Sequence, residues 1–254
     1  MKIGIVGKGG AGKTTTSALL AEAFADEGRR VVAIDTDSNP NLGISLGYSL
    51  EETEAVPVLP RAMMVGAAGD VTADELIEEY GRTTPAGVTL LSAIRVTEAG
   101  GGCTCGGHAT VRSLLGDALE GHADVTLIDM EAGLEHLSRA GGTLAHADVL
   151  LVLMEPTRKG VLTAARTVPL AAELGIPFTY GLGNKANLPA DRAFFENLCD
   201  DQGVPLAGVI PFDEDLLACE RAGLRLPPGK GLEVRKEIKQ VIALLDNLVP
   251  ATAS

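Results

Sequence analysis

Ile3-Gly4-Ile5-Val6-Gly7-Lys8-Gly9-Gly10-Ala11-Gly12-Lys13-Thr14-Thr15 runs from an apolar strand, through a glycine turn, into a helix. The stretch has the spacing GxxxxGKT, and its context is what such a loop requires. Backbone N–H groups freed by glycines wrap a phosphate chain at a helix N-terminus. Gly9, Gly10, Ala11, Gly12, Lys13, Thr14 and Thr15 are therefore expected to bind a nucleotide. Lys13 reaches the β- and γ-phosphates, and the Thr14 hydroxyl sits on Mg²⁺. Glycine-rich turns without nucleotide exist, but a preceding strand together with Lys-Thr argues against that reading. Lys8 is unusual. It lies on the outer side of the loop, where its amine cannot easily fold back onto phosphates its own backbone holds. An ammonium there is better placed to reach the nucleotide of a second copy of the chain.

Outward from this loop, short β-branched runs alternate with amphipathic stretches, the mark of an α/β fold with a mainly parallel sheet flanked by helices on both faces. Strands are expected at Lys2–Val6, Arg30–Ile34, Val88–Leu91, Val125–Asp129, Val149–Met154, Phe178–Leu182 and Leu206–Ile210. Helices fit Lys13–Glu27 (closed by Gly28), Ala73–Tyr80, Thr110–Glu120, Gly160–Leu174, Ala190–Asp201, Glu214–Ala222 and Leu232–Val249. Pro169 should kink or interrupt its helix. Glu51 to Gly69 reads as surface loops. With no linker, repeat or low-complexity tract, residues 1–254 read as a single domain.

The composition narrows the partners. The chain is 46% apolar but only 3% aromatic, so its core must be built from Ala, Val, Leu and Ile. Its 34 acidic and 21 basic residues give a net charge of -13. Such a chain repels DNA and anionic membranes unless a local patch reverses the field. No stretch reaches the ~18 uninterrupted apolar residues of a membrane span, and the N-terminus enters directly into a strand, which predicts no signal peptide. The terminal helix mixes Glu233, Arg235, Lys236, Glu237 and Lys239 without any aromatic, so it reads as core-docking rather than membrane-anchoring. Four cysteines at irregular spacing do not form a disulfide framework, and a reducing cytoplasm is expected.

Three further segments follow strands at the carboxyl edge, where ligands of such sheets bind. In Asp35-Thr36-Asp37-Ser38-Asn39-Pro40-Asn41-Leu42, two carboxylates two residues apart point the same way, toward a cation or water near the γ-phosphate. A capped turn is the bland alternative. In Leu127-Ile128-Asp129-Met130-Glu131-Ala132-Gly133, an aspartate ending a buried apolar strand is costly unless bonded or beside a cation. Asp129 fits a Walker B role toward Mg²⁺, shared with Thr14 and Asp37, and Gly133 supplies flexibility. Asn184-Lys185 and Pro211-Phe212 follow the next strands. An amide can pair with adenine N6 and N7, and a ring or proline can cover the base, though a loop asparagine is usually a turn residue.

Gly100-Gly101-Gly102-Cys103-Thr104-Cys105-Gly106-Gly107-His108 stands apart. In an extended segment Cys103 and Cys105 face the same side, and two thiolates leave a four-coordinate metal half ligated. A two-fold dimer doubles the pair into a Cys₄ site; His108 as a third ligand in one chain is an alternative. Flanking glycines argue against simple packing of these thiols in a core. Thiolates favour Zn²⁺ or Ni²⁺ over Mg²⁺. Cys199 and Cys219 fall in amphipathic helices and read as buried small hydrophobes.

The loop with its extra lysine is similar to the deviant phosphate loop of the MinD/ParA-type ATPases, and the resemblance spans nearly the whole chain. It implies the P-loop NTPase fold with bound ATP, a switch I in which Asp37 orients the attacking water, and adenine contacts at Asn184 and Pro211. With the Cys-x-Cys pair and Asp129-Met130-Glu131-Ala132-Gly133-Leu134-Glu135-His136-Leu137, the chain resembles more narrowly the carbon monoxide dehydrogenase maturation ATPases (the CooC type). That likeness implies a cytoplasmic, ATP-dependent homodimer with nickel or zinc on interfacial cysteines and carbon monoxide dehydrogenase or acetyl-CoA synthase as client. Gly106-Gly107 depart from the residues usual after the second cysteine. Two other classes compete. Partition and positioning ATPases usually carry proline at the place of Glu131 and lack the cysteine pair. Iron–sulfur reductases of the nitrogenase type use two widely separated cysteines per chain.

Overall fold

The computed structural model describes residues 1–60, 72–95, 111, 119, 122–131 and 144–250. Its frame is one eight-stranded sheet in the order β3-β4-β2-β5-β1-β6-β7-β8. The strands are β1 (Lys2–Gly7), β2 (Val31–Asp35), β3 (Arg82–Thr83), β4 (Thr89–Ser92), β5 (Val125–Asp129), β6 (Val149–Met154), β7 (Phe178–Ala186) and β8 (Leu206–Pro211). Every pairing is parallel except β3 with β4. This is the expected mainly parallel α/β sheet, with an antiparallel edge strand that sequence reading missed because it is only two residues long.

The helices are α1 (Lys13–Asp26), α2 (Leu42–Ser45), α3 (Leu50–Ala55), α4 (Ala73–Tyr80), α5 (Arg158–Glu173), α6 (Ala190–Asp201), α7 (Glu214–Ala222) and α8 (Leu232–Leu248). Strand alternation assigns them to faces. Val31 and Ala33 of β2, Leu127 of β5, and Val149, Leu151 and Leu153 of β6 pack with Leu20 and Phe24 of α1 and Ile238, Val241 and Leu245 of α8. Their neighbours Val32, Ile34, Ile128, Leu150 and Val152 point the other way, against Leu76 of α4, Val161 and Ala164 of α5, and Phe195 of α6. Burial on both faces explains why β2, β5 and β6 read as unbroken apolar runs.

Two expectations are corrected. Leu50–Ala55, which runs into the stretch read as loops from Glu51, is a helix, because Ser49 and Glu52 form a reciprocal capping box. Pro169 does not interrupt α5, which runs on to Glu173. Packing of Val161, Ala164 and Ala171 on both sides of the proline outweighs its one lost backbone bond. The helix expected at Thr110–Glu120 lies almost wholly outside the described residues.

β1 lies at the topological switch point: the chain passes from it to β2 on one side and later takes up β6 on the other. The crevice beyond its carboxyl end is where a sheet of this kind receives a ligand.

Candidate functional site

The 7–13 loop leaves β1 and enters α1 in the conformation its glycines permit. Gly10 and Gly12 adopt φ of 79° and 90°, in the left-handed region. Gly12 is doubly required, since a Cβ there would run into the Asn184 amide. The loop is closed on itself: the Lys8 carbonyl accepts from the Ala11 N–H at 3.2 Å and from Lys13 Nζ at 3.3 Å. Lys13 is buried at 8% exposure, whereas Lys8, Gly9 and Gly10 are exposed. Two lysines five residues apart thus have opposite surroundings, as the spacing predicts.

Behind the loop the ends of β2 and β5 lie side by side, with Asp35 in register with Asp129. Both carboxylates are buried. Asp129 Oδ1 accepts from the Ser17 hydroxyl at 3.0 Å, and Asp35 accepts from the N–H groups of Leu42 and Asp37, each at 3.0 Å. Burial holds both groups above the usual carboxylate range. For Asp129 the Thr14 and Ser17 hydroxyls and the Lys13 charge oppose that rise, and for Asp35 the nearby Asp129 adds to it. Burial likewise pulls the Lys13 ammonium down, against the attraction of Asp129, Asp37 and Glu131. Buried Asp129 and half-buried Asp37 and Glu131 thus converge on one buried lysine. The nearby donors, the Thr14 hydroxyl and the Asp37 and Asp129 carboxyls, are all oxygen and fit a divalent cation such as Mg²⁺ better than a soft metal.

Asp37 is half-buried at the rim, where its Oδ1 caps the Asn39 N–H at 2.9 Å. That turn bond, the bland reading of the segment, coexists with an electrostatic attraction between Asp37 and Lys13. Thr36 ties the two strand ends together by donating to the Asp129 carbonyl at 2.8 Å.

On the other side of the loop, a cavity of about 260 Å³ is lined by Gly12, Thr16, Asn184, Pro211, Phe212 and Leu216. Asn184 donates from Nδ2 to the Ala11 carbonyl at 2.8 Å and accepts at Oδ1 from the Lys185 N–H at 2.9 Å. A primary amide has two donors and two lone pairs. One of each remains, enough for the paired contact to adenine N6 and N7. Pro211 is half-buried and Phe212 is 45% exposed, so the ring is free to cover a base. The Glu220 carboxylate, on α7, accepts from the Thr15 hydroxyl at the cavity edge.

Several participants escaped sequence reading. Ser17 could have been found from its helical spacing, one turn after Lys13-Thr14. The sequence marks Asp35 as one of two carboxylates but carries no signal of its deep burial. Buried Glu22 of α1, held by Arg225 at 2.6 Å and Arg235 at 3.3 Å, left no local signal. Nor did Glu237, which pairs with Arg192 at 2.9 Å and accepts from the Val209 N–H. Together these contacts fasten α1, α6 and β8 to the 225–237 stretch. Cys199 is buried as expected, but Cys219 is half-exposed on α7, a helix with no fully buried residue. Cys103, Cys105, His108 and Gly133 lie outside the described residues. Among the described residues no group of three or more His, Cys, Asp or Glu is arranged to hold a metal ion. Among them also, no helix is long and apolar enough to cross a membrane.

This constellation has known relatives. Residues 4–226 match the family model described as the CobQ/CobB/MinD/ParA nucleotide binding domain. The chain belongs to that family. It is 38% identical over 239 residues to the carbon monoxide dehydrogenase accessory protein CooC of Rhodospirillum rubrum, covering 88% of each chain. It is 31% identical to an uncharacterized ATP-binding protein of Methanocaldococcus jannaschii, covering 96% of this chain and 98% of that one. The septum site-determining protein MinD of Pyrococcus horikoshii, solved with Mg-ADP, superposes with a TM-score of 0.71 at 22% identity, over 100% of this chain and 98% of the other. That last likeness shows the fold. Within the CobQ/CobB/MinD/ParA family the chain is a CooC-type, MinD/ParA-like ATPase, as its motifs suggested.

Proposed function

We propose that this ATPase is a dimeric switch that supports nickel insertion into carbon monoxide dehydrogenase or acetyl-CoA synthase in the cytoplasm. The observation that carries the reading is the phosphate loop itself, with Lys13 turned inward beside Asp129 and Lys8 exposed outward. The kinship to CooC supplies the client.

The residues divide the work. The backbone of Gly9 to Thr15 and the Lys13 ammonium hold the triphosphate by charge-assisted hydrogen bonds. Thr14, Asp129 and Asp37 hold Mg²⁺, which when bound neutralises phosphate charge. Asp37, at the rim, orients the attacking water. Asn184 reads the adenine edge, while Pro211 and Phe212 cover its face. Two triphosphates facing each other across a dimer concentrate negative charge, and Lys8 from each copy offsets it. Cys103 and Cys105 from both copies hold one nickel or zinc ion as cargo. Opening and closing of the dimer with ATP alternates between holding and releasing it.

One experiment tests the whole. Anaerobically purified protein is analysed for metal and sedimented with ATP and chelator, alongside Lys8→Ala and Cys103→Ser/Cys105→Ser. The expected results are ATP-dependent dimers for the wild type, ATP-binding monomers for Lys8→Ala, and one ion per dimer that only the cysteine variant loses. Normal dimerisation of Lys8→Ala, or one ion per monomer, would refute the arrangement. An iron–sulfur chromophore would favour the reductase class instead.

A further inference from the structure

The strand that brings Asn184 to the base cavity also grips the phosphate loop from behind. Asn184 Nδ2 donates to the Ala11 carbonyl at 2.8 Å. The next residue, Lys185, reaches over the loop. Its Nζ donates to the Gly10 carbonyl and pairs with the Glu155 carboxylate, just beyond β6, at 3.2 Å. Two successive loop carbonyls are thus pinned by one dipeptide of β7.

Pinning carbonyls orients N–H groups. In a trans peptide the C=O and the following N–H point in opposite directions. Fixing the Ala11 carbonyl on Asn184 turns the Gly12 N–H away from β7. Fixing the Gly10 carbonyl on Lys185 does the same for the Ala11 N–H, which the Lys8 carbonyl takes at 3.2 Å. Lys185 achieves this with φ at 56°, the only positive φ of a non-glycine residue among those described. Side-chain-bearing residues adopt that region when surroundings over-determine them, most often at functional sites. The Lys185–Glu155 pair is 44% and 41% exposed, so it adds little to stability as an ion pair. Orientation of the loop is what the contact can change.

We propose that Lys185 is a positioning residue for the triphosphate: with Asn184 it clamps Gly10 and Ala11, so that this dipeptide sets phosphate affinity as well as contacting the base. The inference rests on the ATP site described above and deepens it. It gives Lys185, which base recognition leaves idle, a task on the phosphate side.

The test uses Lys185→Met, which keeps length but removes charge, with Lys185→Arg and Glu155→Gln. Mg–ATP binding is measured by calorimetry, tripolyphosphate by competition, and hydrolysis by steady-state kinetics. Lys185→Met should weaken ATP and tripolyphosphate by the same factor, about tenfold, the loss of one charge-assisted hydrogen bond. The change should fall on KM more than on kcat. Lys185→Arg should recover both affinities, and Glu155→Gln should lower both by about threefold, since it loosens the lysine without removing it. Unchanged affinities overturn the proposal, as does a loss of ATP binding with tripolyphosphate unaffected, which marks a base contact. Failure of the wild type to bind ATP would overturn the site reading along with it.

Discussion

On the phosphate side of the cleft, Lys13, Asp35 and Asp129 are 8%, 1% and 2% exposed, and each is bonded to backbone or hydroxyl partners. On the base side, Phe212 is 45% exposed and Pro211 half-buried at the mouth of a 260 Å³ cavity. A nucleotide bound as proposed would thus meet two kinds of construction. Charge taken out of water interacts strongly and tolerates no loose partner, whereas an open apolar wall contributes by area and shape. Disruption should therefore be severe at the first half and mild at the second.

The sharpest way to break that contrast is at its catalytic rim. Asp37→Ala should slow hydrolysis by about 10²- to 10⁴-fold, the usual worth of a positioned acid–base or water-orienting group. ATP affinity should fall far less, because Thr14 and Asp129 remain to hold Mg²⁺. Single-turnover phosphate release with calorimetry checks both, and matched losses of binding and turnover would contradict the division of roles.

Lys13→Ala comes next. Removing a buried ammonium from beside Asp129 and the triphosphate should weaken ATP binding by about 100-fold or more. A loss under tenfold in equilibrium titration would show that backbone N–H groups alone dominate the phosphate half.

A pair of glycine variants sharpens the comparison within the loop. Gly10→Ala meets open space and should cost only the left-handed strain, about 1–2 kcal/mol. Gly12→Ala adds a collision with the Asn184 amide, so it should lose more stability in urea titration and more ATP affinity. Equal costs would mean that Asn184 yields freely.

The pH dependence of the nucleotide-free protein provides a subtler test. Asp35 is raised in the folded state, chiefly by burial and then by Asp129. Such a group favours folding in its protonated form. Its contribution is complete below the unfolded carboxylate pKa of about 3.9 and is lost as pH rises through the folded value. Asp35→Asn keeps an acceptor for the Leu42 N–H and should flatten the decline in melting temperature from acid to neutral pH. An unchanged slope would remove Asp35 from the account.

The smallest effect belongs to the base side. Phe212→Ala should weaken ATP by about threefold, because a half-exposed ring contributes only part of its area. A loss as large as that of Lys13→Ala would erase the distinction between the halves.

Much of this was legible in advance, unevenly. The loop, α1 and the strand ends carrying Asp35 and Asp129 announce themselves through glycine spacing and apolar runs, whereas Asn184 and Pro211, which read as following their strands, lie inside the longer β7 and β8. Those signals are short-range, and packing reinforces them. The cap at Ser49 and Glu52 is equally local, and the helix it opens runs into the stretch that reads as irregular. Pro169 gives a local signal for interruption, but its helix, buried on one side, runs on through it.

What the amino-acid order determined alone was therefore the succession of elements and the chemistry waiting at each strand end. The covalent spacing Lys8-x₄-Lys13 and the positive φ of Gly10 and Gly12 are properties of a few adjacent residues. Tertiary structure decided which of these ends meet. Asn184 finds Ala11 across 173 residues, Arg225 finds Glu22 across 203, and Asp35 lies beside Asp129 only because β2 and β5 pair in that register. Such contacts depend on strand order and on both faces of the sheet being covered at once. The burial that shifts Lys13, Asp35 and Asp129 exists only when the whole chain has closed around them.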